Sequence, residues 1–372
     1  MRLEDIDFLI KLLKEQSGLV LTPEKAYLLE SRLMPVARKN NFATLDDLVM
    51  ALRGKNDKLL AGVVDAMTTN ESFFFRDIKP FEQFKTVILP MLIKERAGAK
   101  TIRIWSAACS SGQEPYSLAM ILHERAAELQ GWHINIIGTD LSHEILTKAK
   151  EGKYSQFEVQ RGLPIQMLVK HFTKIGDDWV LNDSIRRMVD LREGNLLKDF
   201  TALGRFDVVF CRNVLIYLDQ KDKEDILNRI SAQMAPDGFL FLGGAETVLG
   251  ITTKFAPVPN NRGMYALSAA GSGSAKIGAA PAPAPAPAVA PPVAPAAAPI
   301  PPRPAVPQPG FVPGLPIGPA SAPVPPQPAP QPAQPAVVKP VMPQPQFVKP
   351  AAPAPESSPM SSGFANPTLR RP

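Results

Sequence analysis

Ile102-Arg-Ile-Trp-Ser-Ala-Ala-Cys-Ser-Ser-Gly-Gln-Glu-Pro115 is the stretch that decides the fold. Its β-branched start, Ile102 to Ile104, reads as a buried strand. Small residues follow from Ser106 to Ser111, then Gly112. Pro115 opens a helical pattern through Leu118, Ala119, Ile121 and Leu122, and a helix start is where a missing N–H does no harm. Strand, small-residue turn and helix make the plan of a nucleotide-cofactor loop, because a backbone without bulky side chains lets a ligand approach closely. The stretch lacks Gly-x-Gly-x-x-Gly, and an ordinary tight turn between strand and helix fits it as well.

A second strand, His133-Ile-Asn-Ile-Ile-Gly-Thr-Asp140, ends in an acid. An acid at that tip is placed to accept hydrogen bonds from both ribose hydroxyls of a nucleotide. Leu141-Ser142-His143-Glu144 then begins a helix, so Asp140 also reads as an N-cap.

The chain has 372 residues and a formal charge of +6. The excess is not on the part that can fold. After Ala270 there are six basic residues and one acid, which leaves 35 basic and 34 acidic residues before it. Net charge therefore gives no reason to expect a polyanion-binding surface. The two cysteines, Cys109 and Cys211, make no disulfide framework, and no Cys/His spacing suits a metal. The charged start and the lack of a long apolar run point to a reduced, cytoplasmic protein without membrane insertion.

Upstream of the deciding stretch, residues 1 to 88 read as helices. Ile6, Leu9, Ile10 and Leu13 mark one face. Tyr27, Leu28, Leu33 and Val36 continue a second helix, which Pro35 should kink or break. Its polar side turns basic at Arg32, Arg38 and Lys39. Thr44 caps a third helix. A fourth runs into Asn70-Glu-Ser-Phe-Phe-Phe-Arg76, where three rings cannot share one helical face. They suit a buried linker, or a segment that packs rings inward and turns polar groups to a pocket.

Downstream, strands and helices alternate as in a parallel sheet. The alternation stops at Gly152 to Pro164, which reads as irregular. Short strands around His171 to Ile175, Trp179 to Asn182 and Arg187 to Glu193 suggest a small antiparallel insertion, its last strand leading back to the main sheet near Val189 to Asn195. The pattern resumes with Phe206-Asp-Val-Val-Phe-Cys-Arg-Asn213, a helix from Asp219 to Met234, a turn at Pro236-Asp237-Gly238, a strand from Phe239, and a closing pair near Phe255 and Gly263. Only nine of the 41 prolines precede Ala270. The segment 269–372, rich in Pro and Ala, is expected to stay extended and solvated, with some unknown partner as the alternative.

Four strand tips converge on one edge: Ser106 to Glu114, Asp140, Asn195-Leu196 and Cys211-Arg212-Asn213. With Thr69-Asn-Glu-Ser-Phe-Phe-Phe-Arg76, Gly138-Thr-Asp140, Gly194-Asn-Leu196 and Phe210-Cys-Arg-Asn-Val-Leu-Ile-Tyr217, they resemble the chemotaxis receptor glutamate methyltransferases, the CheR family. The resemblance runs in order over residues 1 to 268. It implies the α/β fold of S-adenosylmethionine-dependent methyltransferases, with a mixed, doubly wound, seven-stranded sheet. It further implies an N-terminal helical substrate-recognition domain (1–88) and a methyltransferase domain (89–268) with a β-subdomain at about 171–190.

By matched position, Asn70, Ser72, Arg76, Glu114, Asp140, Asn195, Leu196, Arg212 and Asn213 would line the S-adenosylmethionine site. Ser72 stands where many members carry Thr, and the hydroxyl is kept. Arg76 and Tyr217 would lie near the transferred methyl group. Arg32, Arg38 and Lys39 are candidates to meet the acidic, helical methylation region of the receptors. Members that grip a receptor's C-terminal peptide carry a longer turn in the insertion. The short Gly176-Asp177-Asp178 turn implies methylation without that tether.

The chemistry agrees with this inventory. A glutamate carboxylate has a pKa of about 4.3 and is already ionised at neutral pH. It needs alignment rather than a general base. A nucleic-acid methyltransferase acting on base amines would usually carry an Asp/Asn-Pro-Pro-aromatic tip, and here the tip is Cys211-Arg-Asn-Val214. A non-enzymatic adaptor has no use for Arg76, Asp140 and Tyr217 together.

Overall fold

The computed structural model describes residues 1–268, and the expectations for the Pro/Ala-rich tail lie outside the described residues. The chain begins with four helices, α1 (Leu3–Ser17), α2 (Tyr27–Lys39), α3 (Leu45–Arg53) and α4 (Asp57–Met67). Their boundaries follow local chemistry. Thr44 and Asp47 form a reciprocal capping box on α3, and the Asn56 side chain accepts the Leu59 N–H on α4. Leu9 and Leu13 of α1, Leu29, Leu33 and Ala37 of α2, and Leu48 and Val63 share one core. The buried stripe of α2 is thus Leu29, Leu33 and Ala37, while Tyr27 is exposed. Pro35 does not end α2. It sits on the exposed face, where water can take the carbonyl that loses its N–H partner.

A second helical run, α5 (Lys79–Gln83), a π-type turn (Phe84–Ile88) and α6 (Leu89–Glu95), packs on the sheet. Phe74, Phe81, Phe84, Ile88 and Leu92 belong to the core of the sheet rather than to that of α1–α4.

The remaining elements in chain order are β1 (Thr101–Ala107), α7 (Gln113–Glu124), β2 (His133–Asp140), α8 (His143–Glu151), β3 (Lys153–Ser155), α9 (Gln156–Gln160), α10 (Ile165–His171), β4 (Phe172–Ile175), β5 (Asp178–Leu181), α11 (Asp183–Arg186), β6 (Val189–Glu193), β7 (Phe206–Cys211), α12 (Gln220–Ala232), β8 (Met234–Leu242), β9 (Phe255–Pro257) and β10 (Met264–Leu267). The main sheet runs β6-β2-β1-β7-β8-β10-β9. Its first five strands are parallel, and β10 is antiparallel to both neighbours. The strand order reverses beside β1, which has β2 on one side and β7 on the other. That reversal opens a crevice at the carboxyl ends of the strands.

Side chains alternate across the sheet as the pleat requires. Ile104, Val208, Phe210, Phe239 and Phe241 enter the core beneath α5–α7. Trp105, Val209, Cys211, Leu240 and Leu242 enter the other, under Ile226, Leu227 and Ile230 of α12.

Two local expectations change. Pro236-Asp237-Gly238 is not a turn between elements but lies inside β8. A register shift opposite Phe206 and Val208 absorbs the extra residues, and such an irregularity is where a strand tolerates Pro and Gly. The stretch from Gly152 is ordered, not irregular. Lys153–Ser155 is the first strand of a three-stranded sheet, β3-β5-β4, and Ser155 with Glu158 caps α9. Three residues are too few to display a period. Ile175 pairs with Asp178, so the β4–β5 turn is only Gly176-Asp177, with Gly176 at φ 62°. No helix among the described residues is long and apolar enough to cross a membrane.

Arg96, just after α6, ties that helix to two strands. Its Nε donates to Asp207 (2.9 Å), and Nη1 and Nη2 donate to both oxygens of Asp237 (2.8 and 2.5 Å). The guanidinium holds the Asp237 carboxyl below its ordinary value. A depressed carboxyl stabilises the fold above its unfolded pKa of about 4 and loses that contribution as pH falls through the folded value. Arg96→Met should therefore lower stability at pH 7 and shrink its further loss between about pH 4 and pH 2. Urea denaturation at a series of pH values checks both effects.

Candidate active site

The loop between β1 and α7 is built for close backbone approach. Ala108 and Ser110 adopt left-handed conformations (φ 59° and 53°), and Gly112 does so at φ 87°. A Cβ on Gly112 would stand 2.8 Å from the Tyr116 ring, so that position needs glycine on both counts. Asp140 organises the loop from the neighbouring strand tip. Its Oδ2 accepts the Ser110 N–H (2.7 Å) and its Oδ1 accepts the Ser142 N–H (3.0 Å). Burial pushes the Asp140 carboxyl up, against the pull of the backbone donors of Ser142, Ser110 and Leu141. The cap of α8 is Ser142, whose Oγ accepts the Ile145 N–H, so Asp140 is not that N-cap.

Arg212, at the end of β7, is the charged centre of the cleft floor. Its side chain is 1% exposed and donates through Nη1 to Glu114 Oε2 (2.8 Å) and through Nη2 to Asp77 Oδ2 (2.7 Å) and the Arg76 carbonyl (2.9 Å). Glu114 Oε1 also accepts the Ser106 hydroxyl (2.8 Å). One ion-pair network thus joins β1, α7, β7 and the segment leading into α5. Arg212 Nε is buried and has no partner among the described residues.

The helical region supplies the facing wall. Asn70, Ser72 and Arg76 border the cleft, while Phe74 and Phe75 of the same segment sit in the core. Two of the three rings are buried and the polar groups border the cavity, while Phe73 is half-buried under the guanidinium groups of Arg76 and Arg161. Arg76 Nη1 donates to the Glu71 carbonyl (2.7 Å), which sets the guanidinium at the rim. The end of α1 closes the remaining side. Asn195 Nδ2 donates to the Gln16 carbonyl (2.7 Å) and its Oδ1 accepts the Leu197 N–H (2.9 Å). The Asn195 side chain therefore holds the end of α1 against the segment after β6.

All nine residues expected at the cofactor, together with Tyr217, line one cleft with about 1060 Å³ of empty space, part of it open to solvent. Sequence reasoning missed Ser17, Leu19, Leu197 and Leu218 of the same lining. Their only signal is the tertiary approach of α1, which no local pattern announces. Arg32, expected at the receptor, donates through Nη1 to the Met67 and Thr68 carbonyls (2.8 and 3.1 Å), which fastens the end of α4. Arg38 and Lys39 are exposed at the end of α2. Burial pushes the thiols of Cys109 and Cys211 well up, so neither is a thiolate nucleophile near neutral pH. Far from the loop end of α7, His123, Glu124 and His171 bring three possible ligand atoms within 4.8 Å, a cluster that sequence spacing did not suggest. There the Lys170 ammonium stands 2.8 Å from Glu124 and supplies the positive charge.

Residues 4–68 match the CheR methyltransferase all-alpha domain, and residues 70–264 match the CheR methyltransferase SAM binding domain. The chain belongs to the CheR methyltransferase family. It is 41% identical to chemotaxis protein methyltransferase 1 of Pseudomonas aeruginosa, over 70% of this chain and 96% of that one. It is 40% identical to chemotaxis protein methyltransferases of Pseudomonas putida and Vibrio cholerae, each over 68% of this chain and 93% of the relative. The CheR match ends just before the closing strand does, and the tail lies beyond it.

In this CheR chain the buried pair Arg212–Glu114 should be costly to break from one side. Arg212→Met leaves Glu114 as a buried carboxylate without its cation, and should cost about 3–5 kcal/mol. Adding Glu114→Gln should recover part of that loss by removing the unpaired charge. Urea denaturation of the two variants beside the parent checks the order.

Proposed function

We propose that the protein transfers the methyl group of S-adenosylmethionine to glutamate side-chain carboxylates in the helical cytoplasmic region of chemotaxis receptors, forming methyl esters. The observation that carries this reading is the donor and acceptor set of the cleft. It offers a buried acid at the second strand tip, a small-residue loop, a rim guanidinium and a tyrosine, and its one thiol is held protonated. Such a site binds and aligns, no histidine or lysine among the described residues lines it, and an ionised carboxylate nucleophile needs no general base.

The cleft fits the cofactor by the chemistry of its walls. Asp140 retains acceptor capacity for ribose hydroxyls beyond its backbone donors. Ala108 to Ser110 border the cleft with small side chains, and the unpartnered Arg212 Nε is a buried donor bordering the same space. S-adenosylmethionine, when bound, supplies an electrophilic methyl group on a sulfonium. Arg76 would hold the incoming carboxylate through charge-assisted hydrogen bonds, and the Tyr217 hydroxyl would fix its orientation. Closure of the cleft around that carboxylate would strip water from it.

The direct test is incubation with labelled cofactor and membranes carrying chemotaxis receptors. Base-labile label on receptor is the expected outcome, and label on RNA instead would overturn the reading. Within that assay, Asp140→Ala should weaken binding of the demethylated cofactor by about 1.5–3 kcal/mol, the range for hydrogen bonds to a charged group. Calorimetry measures it, and unchanged affinity in a folded variant removes Asp140 from the site. Tyr217→Phe should slow turnover more than it weakens cofactor binding.

Receptor docking gives a separate expectation. Arg38 and Lys39, exposed at the end of α2, would meet the acidic methylation region. Reversing both to Glu should raise the Michaelis constant for receptor, leave cofactor affinity unchanged and reduce the salt dependence of the reaction. An unaltered Michaelis constant at low salt would refute the contact.

A further inference from the structure

Beyond β8 the chain turns through Gly243 and Gly244 to Glu246, a residue outside the cleft lining. Its carboxylate accepts four backbone N–H groups. Oε2 takes those of Gly243 (2.7 Å) and Asn213 (2.8 Å), and Oε1 takes those of Val214 (3.0 Å) and Ile216 (3.3 Å). Three of these donors belong to the segment that leaves β7 and carries Asn213 and Tyr217 into the cleft. Asn213 is left-handed (φ 59°), and Val214 returns to the right-handed side (φ −121°, ψ −42°). Successive N–H groups in that alternation form a concave nest for an anion, and here the anion is a side chain of the same protein.

The fit is close. A Cβ on Gly243 would stand 2.8 Å from Glu246 Oε2 and 3.0 Å from the Asn213 nitrogen, so the pairing requires glycine there. Charge-assisted hydrogen bonds are stronger and shorter than neutral ones, and four of them onto one carboxylate fix the backbone between them. The next residues, Leu215–Tyr217, form a single 3₁₀ turn. Its register, and with it the direction of the Tyr217 side chain, is set by the donors on Val214 and Ile216.

We propose that Glu246 is a positioning residue for methyl transfer, holding the Asn213–Tyr217 backbone in the conformation that presents Tyr217 to the cleft. The inference rests on the reading of Tyr217 given above. Glu246→Gln keeps the size of the side chain but turns one acceptor into a donor that faces N–H groups. It should lower kcat by about 10- to 100-fold, the scale of a displacement of about 1 Å in an aligned site. The affinity for the demethylated cofactor should change several-fold less, because Asp140 and the loop after β1 are untouched.

The deciding measurement is a double-mutant cycle of Glu246→Gln with Tyr217→Phe, read as kcat with receptor and as calorimetric cofactor affinity. If Glu246 acts through Tyr217, the double variant is within about twofold of the slower single variant. Losses that multiply would overturn the proposal, as would a Glu246→Gln enzyme with parental kcat. A neutral Tyr217→Phe beside a slow Glu246→Gln would instead overturn the reading of Tyr217 while leaving Glu246 as the residue that positions the segment. Gly243→Ala, which pushes a methyl group against the carboxylate, is the second variant and should reproduce the loss of kcat. Unfolding of both Glu246→Gln and Gly243→Ala, seen as loss of a cooperative melt, would make Glu246 a determinant of the fold and overturn its positioning role.

Discussion

The buried pairing of Arg212 with Glu114 is the constraint on which the cleft depends. Removing two charges from water is unfavourable, and their attraction offsets it only when the remaining donors and acceptors find partners. Here Ser106 takes one oxygen of Glu114, and Asp77 with the Arg76 carbonyl takes the second arm of Arg212. Those partners come from β1, α7, β7 and the segment after Phe75. A hydrophobic pair of equal volume would pack as well, but would not dictate which loops meet. The ionic solution brings the ends of two neighbouring strands, one helix N-terminus and the polar rim of a distant segment to one place.

The second constraint is the approach of α1 to the loop after β7. Gly18 ends α1 in a left-handed conformation (φ 74°), and a Cβ there would stand 2.6 Å from Leu218 Cδ2. The Val20 N–H donates to the Tyr217 carbonyl (3.0 Å), and Lys14 pairs with Asp219 (2.7 Å), whose carboxylate also caps α12. The helical region is therefore not an appendage tied by a linker. It holds the same short segment that Glu246 holds.

Much of this was legible in the sequence, and the reason is the length of the elements. Ile102 to Ala107, His133 to Asp140 and Phe206 to Cys211 are long enough to show a strand, and each ends in residues whose chemistry suits a ligand site. The cap at Thr44 follows the same local logic, and so does Asp219, which caps α12 just before a run with helical period. What escaped notice was either too short or not local. Lys153–Ser155 pairs with β5 through three residues, fewer than any period requires. Pro236 to Gly238 has turn composition but lies in a strand, because the partner strand slips its register to accommodate it. Glu246 stands among Gly-Gly-Ala-Glu-Thr, which reads as a polar loop, and its importance comes from donors 30 and more residues away in the chain.

The same distinction explains why residues lining the cleft could be named from the sequence while their hydrogen-bond partners could not. Arg32, Asn195 and Asp140 were all picked out as polar groups facing a ligand or partner. Arg32 is fastened to the end of α4, and Asn195 to the end of α1. Asp140 spends part of its capacity on the loop it adjoins. A polar residue at a strand tip must satisfy its own hydrogen bonds before it can serve a ligand, and burial raises the cost of failing to do so. Methyl transfer to a carboxylate makes this arrangement economical. Since the nucleophile arrives ionised, no side chain has to be kept in a reactive protonation state, and nearly every polar group in the cleft is free to hold another in place. Alignment is then the main contribution of the protein, and alignment is what a network of buried groups holding one another in place provides.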